Sequence, residues 1–595
     1  NGCCNRWRKR RNKSVKAMMF DTIVEITEAI AEQETNLSDL RTRMEDDYDL
    51  WALTPYESED ATGKKRKGYQ SYTSSAPRNF FDKVLDGLNQ AALSIQIKLP
   101  EEASEKERRA ASVGELYLFG ALAAIDRRLA KRGEPPLRQG LGFFICLRGW
   151  YALRALVYRP KGSEETAFDA QAWDPLEVSW EIGQEGLLWA ARKRTATKGQ
   201  ILAEYGLTTK GKTAEVIDFW DEERNSVIIE GIWGKQPTKH NLGHVPVLIG
   251  PVGSMPTIQR SVLSGSTTSV LEEQGDSIWS SSRDLYKSYN RSVSRLMDIQ
   301  ERAVVGSQKV RSKDGKKTLM GDPYLTFTQI TLAQDEDVEP MELPKAPPET
   351  AAILGIVSQD LQQSTLPYPL AYGGTQQGLS GRALGILSEA TRSVYSPRTE
   401  AMTRVYSWLC EELLSQYAQK GIKASEFSGY KPGDKKGGEF FQVKVRPSEI
   451  NPGWFVSVKV EPQMPRDEEA QIMMALAATQ KRGPDDIALV SKQTARENIL
   501  QLRDPDAEED KVLEEMGKAL PPIVAANIAA ALKRRGKDEL AEQVMMLLRP
   551  PGAAPGGTQA PSLPPQLIEA IVKALVIGGQ PELAEALLKA LGVGA

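Results

Sequence analysis

The chain has 595 residues, enough for several domains or one large elongated subunit. Hydrophobic residues make up 41% and charged residues 26%, and the formal net charge is −3, so no global basic signal for nucleic acid is present and any DNA contact must come from local patches. No apolar run approaches the ~20 residues a membrane helix needs, and four cysteines without a C-x-x-C pair argue against a zinc cluster or disulfide framework.

Residues 1–17 carry positive charge with no apolar stretch behind them. They read as a basic tail or upstream extension outside the fold, not as a secretory signal. Met18 and Met19 open a helical pattern that gives one or two helices over 18–50. Residues 54–77 are a polar loop with a basic knot at Lys64–Lys67. Residues 78–100 read as a helix running into a short strand. Residues 106–133 are a helix stopped by Gly133 and Pro135, and 142–158 start helical and end as a strand. From about 168 to 250 short β-branched and aromatic runs separated by turns predict an antiparallel sheet.

A long helix follows over 267–304, spanning on the order of 55 Å at ~1.5 Å per residue. Its apolar stripe is Leu271, Ile278, Leu285, Leu296 and Ile299. Arg283, Lys287, Arg291 and Arg295 repeat every four residues and share one face. That face reads either as a solvated surface or as one turned to DNA phosphates or an acidic partner. A small α/β insert (305–346) precedes a second helix at 347–365 with proline at its start. Residues 366–381, "LPYPLAYGGTQQGLSG", contain no charge. A third long helix, 382–421, carries Pro397 and is expected to bend there. "FQVKVRP" and "WFVSVKVEP" read as a late strand pair, and the remainder from about 465 as helical hairpins. Within it "IAAALKRRGKDELAEQVMMLL" (528–548) matches "IVKALVIGGQPELAEALLKAL" (571–591), a duplicated helix pair joined by a Pro/Gly/Ala linker at 549–565.

Three stretches invite a chemical reading. "GLTTKGKT" (206–213) fits G-x-x-x-x-G-K-T, the phosphate loop of nucleotide hydrolases. That loop needs a strand before it and a helix after it, whereas "AEVIDFWDEERNSVIIEGIW" alternates like a hairpin, so a turn with an exposed lysine is expected. His240 and His244 lie four apart, but Gly243 and Pro246 break the helix that would aim both at a metal. The acidic run Asp335, Glu336, Asp337 and Glu339 reads as a solvated loop rather than a cation site. No catalytic residue, metal or cofactor is assigned, and the chain is not expected to be an enzyme.

The order of these elements resembles the portal protein of tailed bacteriophages, over about 18–520. The residues that carry the resemblance are Asp174-Pro175 between strands, "HNLGHVPVLIG" entering a strand, "DLYKSYNRSVSRLMDIQERAVVGSQKV" as a stem helix entering a clip, "SGRALGIL" (380–387) opening a kinked helix, and the "DPDAEED" ending. The resemblance implies an α+β, mainly helical, elongated subunit. Its wing would be 18–262 and 422–462, and its stem 263–304 and 347–365. The clip would be 305–346, the tunnel loop 366–381, the kinked helix 382–421 and the helical crown 463–548, with the hairpin at 566–595 departing from the usual ending. It also implies a ring, usually of twelve copies, at one capsid vertex. Double-stranded DNA would pass through that ring during packaging and ejection. The terminase large subunit, major capsid protein, scaffold and head–tail adaptor or tail proteins would dock on it. Under this resemblance Tyr368, Tyr372, Gly373, Gly374, Gln376, Gln377 and Gly378 would line the channel. Arg283, Lys287, Arg291 and Arg295 would form a basic stem face. Lys309, Arg311, Lys313, Lys316 and Lys317 in the clip would meet terminase or adaptor. Two other readings stand beside it: a nucleotide-driven DNA-processing ATPase using Lys212, and a helical virion scaffold or adaptor without a DNA channel.

Overall fold

The apolar period over residues 105–131 folds as one helix, which packs on the strands Ala92–Lys98, Ala167–Trp173 and Ser425–Lys431. Ser104 starts it with a capping box: its hydroxyl accepts from Glu107 N–H at 3.3 Å, and the Glu107 carboxylate accepts from Ser104 N–H at 2.8 Å. Gly133, at φ +74°, turns the chain out of it ahead of Pro135. Tyr117, Leu118, Ala121, Ile125 and Leu129 along it are buried.

The structure is a computed structural model that describes residues 20–59, 64–65, 69–100, 102–160, 165–253, 274–305, 308–311, 337–340, 348–366, 381–419, 422–431 and 439–461, with short pieces between 475 and 512. The chain divides into two units, 1–465 and 466–595. In the first unit the order is α1 (Ile23–Asn36), α2 (Ser38–Ala52), α3 (Ala76–Asn89), β1 (Ala92–Lys98), α4 (Glu105–Lys131), α5 (Leu137–Arg148), β2 (Trp150–Tyr158), β3 (Ala167–Trp173), β4 (Val178–Gly183), β5 (Gly186–Thr197) and α6 (Lys198–Tyr205). Then come β6 (Thr213–Asp221), β7 (Arg224–Ile229), β8 (Ile232–Lys239), β9 (Val247–Pro251), α7 (Arg283–Val305), β10 (Gln308–Arg311), β11 (Asp337–Pro340), α8 (Pro348–Gln363), α9 (Gly381–Tyr417), β12 (Ser425–Lys431), β13 (Glu439–Val445) and β14 (Phe455–Glu461). In the second unit the described pieces include one helical turn, Lys492–Thr494, capped by Ser491.

All strand pairs are antiparallel among the described residues. A meander of β4 to β8 makes a five-stranded sheet, β3-β2-β9 a three-stranded one, and β1-β14, β12-β13 and β10-β11 are separate pairs. The main core joins α3, α4, α5, α9, β1, β2 and β14. Trp150, Trp173, Trp180 and Trp220 fill the space between the two larger sheets together with Leu37, Leu40 and Met44 at the start of α2. Phe20, Ile26 and Ile30 cover another face of the five-stranded sheet against Trp189 and Phe219.

The described residues are therefore α+β, as the sequence predicts, and several elements differ from expectation. The long helix at 267–304 is shorter: residues 274–282 are turns, α7 begins at Arg283, and its 23 residues span about 34 Å. Its upstream part, 267–273, and the linker and repeats beyond 512 lie outside the described residues. The late strands do not pair with each other: β13 pairs with β12, and β14 returns to β1, with Ile95 opposite Val458. Part of the acidic run is a strand, β11. Helix α6 has no counterpart in the sequence reading, although Thr197 and Gln200 form a capping box at its start.

Candidate functional site

Two features bring the singled-out residues together: the turn at 274–282 and the helix pair α7 and α8, which pack on each other. At the turn two backbones cross. Gly149, at φ +67°, lies so close to it that a Cβ there would stand 2.5 Å from Ser277 N. Gly275, at φ +85°, faces the Gly149 carbonyl in return. Only residues without a side chain permit this approach. The Gln274 carbonyl accepts from Trp150 Nε1 and from Arg43 Nη2, both at 2.9 Å.

Three arginines pin the crossing. Arg283 opens α7 and grips Asp47 of α2 through both carboxylate oxygens, at 2.6 and 2.8 Å. The Asp47 carboxylate has no solvent exposure. Burial pushes its pKa up, and Arg283 opposes that shift without cancelling it. Arg148 grips Asp174 at 3.0 and 2.8 Å and donates to Met44 O at 2.6 Å. Arg398, one residue after Pro397 in α9, pairs with Asp276 at 3.0 Å and donates to the Asp276 and Ser277 carbonyls at 3.0 and 2.8 Å. The proline in the third long helix thus stands beside a buried cation that binds the turn.

Along α7 the faces differ. Tyr286, Asn290, Ser294 and Asp298, at four-residue intervals, are buried, and three of them are polar. The three polar ones meet a strap, residues 69–75, that leads into α3. Leu285 and Tyr289 pack on the main core, as do Val357 and Leu361 in the second half of α8 and Leu366 beyond its end. Met297 on α7 and Ile353 and Ile356 on α8 are exposed.

The four-cation stripe is therefore not one uniform surface. Arg283 belongs to the buried ion pair and Lys287 stands 3.5 Å from Asp46, while Arg291 and Arg295 face solvent. Lys309 and Arg311 lie on β10. Lys313, Lys316 and Lys317, and the uncharged loop with Tyr368, Tyr372, Gly373, Gly374, Gln376, Gln377 and Gly378, lie outside the described residues.

"GLTTKGKT" has the reverse of a phosphate loop's geometry. A helix, α6, enters it through Gly206 at φ +69°, and a strand, β6, leaves it at Thr213. Lys212 O accepts from Lys198 N–H at 3.0 Å, which closes the loop on itself. The chain leaves Lys212 into a strand rather than a helix, and the first amide of α6, Lys198 N–H, is already engaged by Lys212 O instead of a phosphate. His240 and His244 serve separate bonds. His240 Nδ1 accepts from Leu242 N–H at 3.2 Å, so its Nε2 carries the proton and donates to Asp221 O at 3.0 Å. His244 Nε2 meets both oxygens of Glu412 at 2.9 and 3.0 Å, and its Nδ1 meets Leu242 O at 3.2 Å.

Asp47, Arg398, Asn290, Ser294 and Asp298 escaped sequence reading. The last three had a signal, polar residues at helical spacing on α7, which reads as solvated unless a partner strand is known. A polar cleft of about 800 Å³ between the sheets includes Arg132, Arg154, Asp169, Arg192 and Glu204. Its cations are paired with carboxylates. Burial alone would raise the Asp169 pKa, but Arg154, Arg132 and Arg128 outweigh it and hold the group below its usual value.

No protein-family model matches the chain, and no curated protein does. Among solved structures it is similar to a chain of the "neck of native GTA particle computed with C12 symmetry", at 12% identity and a TM-score of 0.32, over 65% of this chain and 88% of that one.

Proposed function

We propose that this chain is a phage portal subunit: a virion protein that assembles with copies of itself into a ring at the capsid vertex. The ring would pass double-stranded DNA inward during packaging and outward during ejection. It would dock the terminase large subunit, capsid protein and scaffold, and head–tail adaptor or tail proteins, and it would carry no chemistry of its own. The observation that supports this best is the succession α7, β10-β11, α8, in which a β-ladder stands between two helices packed on each other. A helix pair with Met297, Ile353 and Ile356 left in solvent is suited to a neighbouring copy, and heterologous contacts of that kind close into rings.

The electrostatics suit a conduit. Each phosphate contact made by Lys or Arg adds affinity, and many together would brake a moving duplex. The buried pairing of Arg283 removes one such contact, and the uncharged 366–381 segment offers none. Single-particle images of purified protein test the reading. Rings with a central hole of duplex width are expected; a compact monomer or a solid cluster would refute it. The ATPase reading makes a different demand. Purified protein is expected to turn over no ATP, and Lys212→Ala to leave DNA packaging unchanged.

A further inference from the structure

We infer that residues 69–75 form a detachable brace that fixes the direction of α7 and opens without disturbing the core. The N–H groups of Gln70, Tyr72 and Ser74 donate to Asp298 Oδ1 at 2.6 Å, Ser294 Oγ at 2.8 Å and Asn290 Oδ1 at 3.0 Å. The donors recur every second residue of an extended chain, about 6.6 Å apart. The acceptors recur every fourth residue of a helix, about 6.0 Å apart. The two repeats match closely enough for three successive rungs to form without bending either element. Gln70 Nε2 adds a bond to Glu301 Oε2 at 2.6 Å.

Every rung ends on a polar side chain, so water can take the strap's place on all three. Gln70, Ser71 and Ser75 are exposed, Tyr69, Tyr72 and Thr73 half-buried and Ser74 buried; Thr73 Oγ1 accepts from Tyr56 N–H at 2.8 Å, and Tyr72 touches Tyr289 only edge-on, with ring centroids 6.3 Å apart. Little apolar surface therefore resists opening. The strap's neighbour α3 behaves differently: Phe80, Phe81, Val84 and Leu88 sit in the main core. Besides its packing on α8 and, near its start, on the main core, helix α7 is thus held by two polar attachments. Its first residue is locked to Asp47, and the ladder grips it from Asn290 to Asp298. When the ladder opens, the Asp47 lock and the packing on α8 remain, and the helix is free to tilt about its base. Arg291 and Arg295 lie among the rungs, so the brace decides where this exposed basic pair points.

Two measurements on the full chain test this. In hydrogen exchange, the amides of Gln70, Tyr72 and Ser74 should exchange at least about a thousandfold faster than those of Phe81 and Val84, as local opening requires. Exchange of both sets at one common rate, set by global unfolding, would overturn the proposal. For the second, spin labels go on Lys106→Cys and Gln300→Cys, with Cys3 and Cys4 replaced by serine. The triple variant Asn290→Ala, Ser294→Ala, Asp298→Ala should widen the distance distribution between them. An unchanged distribution would show that the ladder does not brace the helix.

Discussion

The two attachments of α7 use opposite chemistries. At its base a guanidinium and a carboxylate are sealed from water, Arg283 against Asp47. Along its length neutral and charged acceptors meet the amides of a partly exposed strap. A buried ion pair need not be worth much as a pair, because desolvation offsets the attraction, but half of one is very costly. A hydrogen bond that water can replace is worth little either way. The base should therefore behave as all-or-none and the ladder as a sum of small terms.

The sharpest way to break this contrast is Arg283→Met, which strands the Asp47 carboxylate in the core. A loss of about 3–5 kcal/mol is expected in urea denaturation. The double change Asp47→Leu with Arg283→Met should recover most of it, since it removes both charges. A double variant as unstable as the single one would show that the pair is needed for more than mutual compensation.

Next in size is the backbone crossing. Gly149→Ala meets both an unfavourable φ and the Ser277 amide, and roughly 2 kcal/mol or more is expected. Gly133→Ala has a similar φ, +74°, but nothing within 4 Å of the new Cβ, so it should cost only about 1 kcal/mol. Equal losses in melting experiments would mean that the crossing adds no steric demand.

These two sites also mark where sequence reading reached its limit. Periodicity announced α3, α4, α5, α8 and α9, and alternation announced the strands between about 168 and 250 and β13 and β14, whereas β10, β11 and β12 are short or polar and were not read as strands. Gly133 and Pro135 even placed the C-terminal end of α4, while the Ser104–Glu107 capping box at its start went unread. Partners are another matter. The sequence pattern of β14 fits any antiparallel neighbour, so its return to β1, more than 350 positions earlier in the chain, was invisible. Arg283 read as one of four equivalent cations because its mate, Asp47, is 236 positions away. Helix α7 was drawn too long because Ile278 and Trp279 continue its apolar spacing, although they are buried in the turn before it. The order of elements suggested a conduit; the ladder on α7 depends on a strap whose polar sequence carries no period.

Smaller still is a single rung. Ser294→Ala takes one neutral acceptor from the amide of half-buried Tyr72, so about 1 kcal/mol is expected. A loss near that of Arg283→Met would erase the distinction between base and ladder.

The smallest expected effect lies between the two chemistries. In the pair of His244 and Glu412 the carboxylate is buried, 7% exposed, while the imidazole is 44% exposed. Both ring nitrogens of His244 face acceptors, so the protonated ring satisfies every partner, and the bond to Glu412, ahead of burial, raises its pKa above the usual histidine value. For His240 burial is the largest influence and lowers the pKa, its ring being neutral with Nδ1 already accepting. A raised folded pKa stabilises the fold fully below the unfolded value of about 6.5, and that contribution disappears as pH rises through the folded value. Solvent screening keeps it under about 1 kcal/mol. With two histidines in the chain, NMR of the imidazole protons should show two titrations on opposite sides of about 6.5. Glu412→Gln should move the upper one down and leave the lower one in place. If both histidines titrate together, or if the upper one ignores Glu412→Gln, the pair contributes no proton-linked stability, and the exposed side of its imidazole governs as it does on the ladder.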